Sequence, residues 1–163
     1  MDETPAELAA LDELLTASRR RGTSHLREII DGATAPTATV VVRRLTGMKV
    51  LSLATVTARG EPRISAVDGH FLHGSWTFGT SGAAAKARHL ERRPAVSVAH
   101  VDGESFAVFS HGTAERLQPG DHWFGPTIEH WTAHYGSSPL TWGEDIRMYR
   151  LIPTWMVAYQ PAG

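Results

Sequence analysis

The residues of this chain best suited to do chemistry fall in one run, Trp76-Thr77-Phe78-Gly79-Thr80-Ser81-Gly82, followed by Ala83-Ala84-Ala85-Lys86-Ala87-Arg88-His89-Leu90. A strand that ends in Thr-Ser-Gly and turns into a helix gathers hydroxyls and unbonded backbone N–H groups at one point, where the helix dipole also favours negative charge. Lys86 and Arg88 place cations near that point, and Arg63, at the head of the preceding strand, can add a two-pronged contact from the neighbouring side. A phosphate is the kind of anion such a donor set suits. An ordinary reading stays open beside it, because Gly-rich turns open many helices that bind nothing and Lys or Arg on a helix is commonly just solvated.

The histidines offer a second chemistry. His130 and His134 stand four apart on the segment opened by Pro126, a spacing that can chelate zinc. The residues between them, Trp131, Thr132 and Ala133, include no Glu in the protease position. Ile128, Trp131 and Tyr135 supply the apolar face, which puts both histidines on the far, solvated side, so no metal is expected. His70 and His73 point to opposite faces if the segment is extended. His70 or His111 can reach a bound ring from a strand, although a structural or surface role is the simpler account of each. No Ser-His-Asp order or carboxylate pair stands out, and no catalytic residue is assigned.

The elements that must position these residues are legible in outline. Thr4, Pro5 and Glu7 form a capping-box pattern before Leu8, Leu11 and Leu15, and Arg19, Arg20, Arg21 and Gly22 suit a helix end. A second short helix is predicted from Ser24 to Asp31, ended by Gly32, and a third over Val40 to Leu45, where a Thr37 cap and Gly47 stop outweigh the β-branched residues. From Val50 onward β-branched and aromatic segments alternate with polar turns: Val50–Thr57, Arg63–Asp68, Ser75–Thr80, Ala95–Val101, Phe106–Leu117 and Arg147–Tyr159. Arg59-Gly60-Glu61-Pro62 and Asp102-Gly103 supply hairpin turns. Helices interrupt at Lys86–Glu91, halted by Pro94, and at Pro126–Tyr135. Six short antiparallel segments predict a small barrel.

Composition narrows the partners. Sixteen Lys and Arg against 17 Asp and Glu leave a net charge of -1, which gives no field to draw a nucleic acid. The chain has no cysteine, which removes disulfide and thiolate chemistry. No apolar run approaches the roughly 20 residues of a membrane span, and the start carries acids rather than a leader's apolar core, so a cytoplasmic protein without membrane contact is expected. At 163 residues and 42% hydrophobic content, one domain with a real core is affordable.

From Leu51 to Leu117 the chain resembles the split-barrel flavin-binding family related to pyridoxamine 5'-phosphate oxidase. The resemblance rests on a strand, a Gly-Glu-Pro turn, an Arg-led strand, Phe78-Gly79-Thr80-Ser81, a helix with Lys86, and Arg93-Pro94-Ala95-Val96-Ser97-Val98. It implies an α+β fold, mainly β: a six-stranded antiparallel split barrel over residues 48–163 with flanking helices, and an N-terminal helical extension over 1–47. It also implies that the strand Arg63, Ser65, Ala66, Val67 lies along a flavin ring, and that Thr80, Ser81 and Lys86 hold its phosphate. Departures accompany it. The oxidase has a Ser-Arg pair where this chain has Ala84 and Ala85, which leaves Arg88, or a different cofactor, to compensate. Its Arg-x-His terminus is replaced by Trp155-Met156-Val157-Ala158-Tyr159-Gln160, which argues against pyridoxamine-phosphate oxidation. FMN is therefore the expected cofactor. The deazaflavin coenzyme F-420 is the alternative, and haem or a non-catalytic carrier role stays open. A small-molecule substrate and a homodimer that shares the cofactor between subunits are implied as well.

Overall fold

The computed structural model describes residues 3–30 and 34–161. Six antiparallel strands, β1 (Lys49–Val56), β2 (Pro62–Leu72), β3 (Ser75–Ser81), β4 (Ala95–Asp102), β5 (Phe106–Arg116) and β6 (Ile146–Tyr159), close into a barrel in the order β1-β2-β3-β6-β5-β4. The α+β reading and the six strands are thus as the sequence led us to expect. The strands alternate between barrel interior and outer face: in β1, Leu51, Leu53 and Thr55 are buried, and Val50 and Ser52 are exposed. Trp76, Phe78, Val98, Val108, Leu151 and Met156 fill the interior with them.

Three helices precede the barrel: α1 (Pro5–Arg21), α2 (Ser24–Ile29) and α3 (Ala38–Leu45). Thr4 and Glu7 form the predicted capping box on α1. The third helix is helical as read, because Thr37 caps it and one face, Ala38, Val41, Val42 and Leu45, is buried. Leu11 and Leu15 of α1 join the same core as the barrel residues. Two polar contacts fix the helices in place: Asp12 Oδ1 accepts from the Ala38 N–H at 2.7 Å, and Ser18 Oγ accepts from the Met156 N–H at 2.9 Å. The predicted end of the second helix, Asp31 and Gly32, lies outside the described residues.

Several boundaries move. The second strand runs to Leu72, well past the predicted Asp68, because His70, Phe71 and Leu72 find partners in Thr77, Trp76 and Ser75. A helix after β3, α4 (Ala85–Arg92), is one residue longer at each end than read, and the last helix, α5 (Phe124–Tyr135), opens two residues before Pro126. Between β5 and β6 the register shifts at His111/Gly112, beside Pro153. A proline donates nothing to a ladder, so a bulge is where a strand accommodates one.

Candidate functional site

The barrel is closed but parted on one side. The β2–β3 ladder ends at Gly69 and Phe78; from there β2 continues back to Pro62 paired with β1, while β3 continues to Ser81 paired with β6. Among the described residues, no strand pairs with the other edge of 62–68. That edge therefore presents backbone N–H and C=O groups that must find partners elsewhere. The fourth helix follows β3, buries Ala87 and Leu90 in the core, and is tied to β1 by His89 Nδ1 at 2.9 Å from Thr55 Oγ1. It thus reaches from β3 to β1, across the opening that β2 and β3 leave.

The predicted site residues divide. Thr80, Ser81, Lys86 and Arg88 are brought together at the turn from β3 into α4. Ala84 caps that helix without a side-chain bond, so the first-turn N–H groups receive nothing from the cap residue. Ser81 Oγ accepts from the Ala83 N–H at 3.2 Å, and Arg88 Nη1 donates to the Ala83 carbonyl at 2.6 Å, so both shape the turn itself. Lys86 is half-buried and takes no hydrogen bond or ion pair among the described residues. Arg63 sits apart: it pairs with Glu61 at 2.9 Å and donates to the Pro62 carbonyl at 3.1 Å, and no bond among the described residues links it to the turn. Along β2 the pleat decides what faces where. Val67 is buried in the core and Ser65 shares its face, whereas Ala66 is exposed with Ile64 and Asp68. Val67 can therefore offer a ligand its backbone and not its side chain.

Sequence reasoning missed a cation at the turn. Arg147 pairs across the β3–β6 ladder with Thr80, and is held by Glu91 and by Asp145, the latter at 2.7 Å. The Arg147 hydrogen bonds hold the Asp145 carboxyl below the usual carboxylate range, and the same contacts raise the Arg147 guanidinium. Gly82 is seated against this pair: its N–H donates to the Asp145 carbonyl at 2.7 Å, and a Cβ there would meet Asp145 Oδ2 and Arg147 Nε. Charge alternation in Asp145-Ile146-Arg147 was visible in the sequence, but not the pairing of β6 beside β3.

The histidines differ from the reading in part. His130 is half-buried rather than on a solvated far side: α5 packs over β2 and β3, with His130 Nε2 at 3.0 Å from His70 Nδ1, whereas His134 is exposed as expected, its ring 4.7 Å from that of His70. The face is fixed by Trp131, which is buried and donates from Nε1 to Thr77 Oγ1 at 3.0 Å. Tyr135 completes the group near Asp68 at 3.4 Å, and burial together with the Asp68 charge pushes its pKa up to about 12. Among the described residues, no group of three or more His, Cys, Asp or Glu has a geometry that could hold a metal ion. His73 leaves β2 in the turn with φ 50° and pairs with Glu7 at 3.1 Å, while His111 stacks on Trp155 with ring centroids 4.6 Å apart. No described helix is long and apolar enough to cross a membrane.

A closed antiparallel barrel whose second and third strands part, with a helix laid across the gap, defines a split barrel. Residues 39–156 match the family described as pyridoxamine 5'-phosphate oxidase, and the chain belongs to that family. Solved structures share the fold. HutZ, a haem storage protein from Vibrio cholerae, aligns with a TM-score of 0.61 at 21% identity, covering 74% of this chain and 92% of that one. A pyridoxamine 5'-phosphate oxidase-related, FMN-binding protein from Nostoc punctiforme aligns with a TM-score of 0.55 at 18% identity, covering 71% and 75%. An F-420 reductase aligns with a TM-score of 0.51 at 22% identity, covering 66% and 88%. At these identities the likeness is one of fold. The comparison with curated proteins found no match.

Proposed function

We propose that this chain is a cytoplasmic, FMN-binding oxidoreductase that works as a homodimer on a small-molecule acceptor. The observation that carries the reading is the free backbone edge of β2 over 62–68 in the same opening that α4 crosses with Lys86. A flat ring with polar edges takes its hydrogen bonds from such a strand edge, and a phosphate takes its from a helix first turn and a lysine. The donor set fits FMN in kind: Lys86 is uncommitted, the Ala84 cap leaves N–H groups open, and Arg63 is exposed enough to leave Glu61 for a ligand. Bound there, FMN supplies hydride or electron transfer. The chain's own part is to seat the phosphate, to hold the ring by backbone groups of Arg63 to Val67, and to shield one of its faces.

A second reading, the deazaflavin coenzyme F-420, is favoured by one observation. Asp145 and Glu91 stand beside the turn, and Ala84 and Ala85 leave its rim open, an arrangement that suits a phosphate further along a longer tail better than a terminal dianion. Titration with FMN and with F-420, followed by visible absorption and ligand fluorescence, tests both. Micromolar binding of FMN is expected, weakened roughly 10- to 150-fold in Lys86→Ala by loss of a charge-assisted contact, with folding stability unchanged. A Soret band after haem addition, with no flavin bound, would replace this reading with a haem carrier.

A further inference from the structure

On the outer face of β3 and β6, under the start of α5, lies a cavity of about 250 Å³ that none of the flavin-site residues lines. Thr77 and Arg150 form its floor, the β2–β3 turn with Leu72 and His73 one wall, and Trp123 and Thr127 the other. Three features of it point to a ligand.

The first is Arg150, whose half-buried guanidinium lies over the Trp123 ring, 4.3 Å from its centroid. It donates to the His73 carbonyl at 3.2 Å, and among the described residues no carboxylate comes within ion-pair distance of it: Glu115, opposite it in the β5–β6 ladder, and Glu7, paired with His73, act on it only at longer range. A guanidinium carries five N–H donors. Stacking on Trp123 uses its face and leaves its edge, where the donors point, open to a two-pronged acceptor. The second feature is Thr127, 3% exposed, whose hydroxyl makes no hydrogen bond among the described residues. The hydroxyl is not among the fully buried polar atoms that lack a partner, so it keeps contact with the cavity's solvent and stays open to a ligand's oxygen. The third is the walls themselves: Leu72 and Trp123 present apolar surface beside these polar groups. Glu129 also borders the cavity and is exposed, so it disfavours a multiply charged anion such as phosphate there.

We propose that this cavity is a second binding site, for a small monocarboxylate with a flat apolar body: Arg150 and Thr127 take the carboxylate, and Trp123 and Leu72 flank the body. The site is independent of flavin binding, and its test needs no cofactor.

The purified chain is titrated with benzoate, benzamide and acetate, followed by tryptophan fluorescence and by backbone amide NMR. Saturable benzoate binding is expected, with the Trp123 and Thr127 amides among those that move. Benzamide, of the same shape without the charge, and acetate, with the charge but no body, should each bind at least roughly 10-fold more weakly. Arg150→Gln should lower benzoate affinity roughly 10- to 100-fold, and Thr127→Val should lower it by a smaller factor. Absence of saturable benzoate binding, equal affinity for benzoate and benzamide or acetate, or wild-type benzoate affinity in Arg150→Gln would each overturn the proposal. Should Arg150→Gln fail to fold, Thr127→Val and the three-ligand comparison decide the matter.

Discussion

His70 is 1% exposed, and its pKa is pushed down to about 4, first by burial and then by the charges of His130 and His134. It is neutral in the folded protein at pH 7, with Nδ1 turned to His130 and Nε2 at 3.5 Å from the Tyr135 hydroxyl. In the unfolded chain it protonates near 6.5, so below that pH the unfolded state takes up a proton that the folded state does not. The resulting stability is fully present above about 6.5 and is lost as pH falls through about 4. At about 1.4 kcal/mol per pH unit, the loss has an upper bound of about 3 kcal/mol. Urea unfolding at pH 7.0, 5.5 and 4.5 checks this, and in His70→Gln the fall across that window should flatten. A fall of the same steepness in the variant would show that other groups carry it. The sequence marked His70 as structural, and burial agrees. It could not show His130 and His134 as neighbours of His70, because that contact joins residues 60 and more positions apart.

At the scale of elements, the β5–β6 pair depends on a close approach. The bulge at His111/Gly112 brings Gly112 against the backbone of Ile152, where an added Cβ would overlap the Ile152 carbonyl oxygen. Backbone cannot turn aside as a flexible side chain can. Gly112→Ala should therefore cost roughly 1 to 3 kcal/mol, read as a lower urea midpoint with an unchanged slope. A variant of wild-type stability would mean that the ladder relaxes at no cost. Hairpin turns, two helix caps and five of the strands were legible because their signals are local: Gly60 has the positive φ of 80° that its turn demands, and Thr4 and Thr37 cap their helices. The second strand was read short because its last four residues have no alternation. His70, Phe71 and Leu72 are all buried, since α5 and the hairpin cover the face that would otherwise meet solvent.

For the whole molecule, Val50, Ile64, Val101 and Phe109 stand on one outer face of β2, β1, β4 and β5, with Ile64 75% exposed. Ser52, Ala54 and Ala99 lie between them and keep that face low enough for close approach. An apolar sheet face of this kind suits a second copy of the same chain, related by a two-fold axis. Light scattering should give about twice the 17.8 kDa chain mass, and the double substitution Ile64→Lys with Phe109→Lys should give the single mass with a folded circular dichroism spectrum. A wild-type protein that is monomeric at micromolar concentration would remove the dimer, and with it a cofactor shared between subunits.

The amino-acid sequence by itself determined the strands, the helices, the family and the anion-suited turn at Thr80, Ser81 and Lys86, because each depends on neighbours along the chain: period, caps, turn residues and the order of motifs. Tertiary structure alone decided what those pieces meet. The parting of β2 from β3, Arg147 with its two carboxylates beside the turn, the inward side chain of Val67, the histidine cluster under α5 and the Arg150 cavity all arise where strands distant in sequence pair or a helix folds back over them. Register and packing across such distances follow from the burial of the whole set of apolar faces at once, and no local run of residues encodes them.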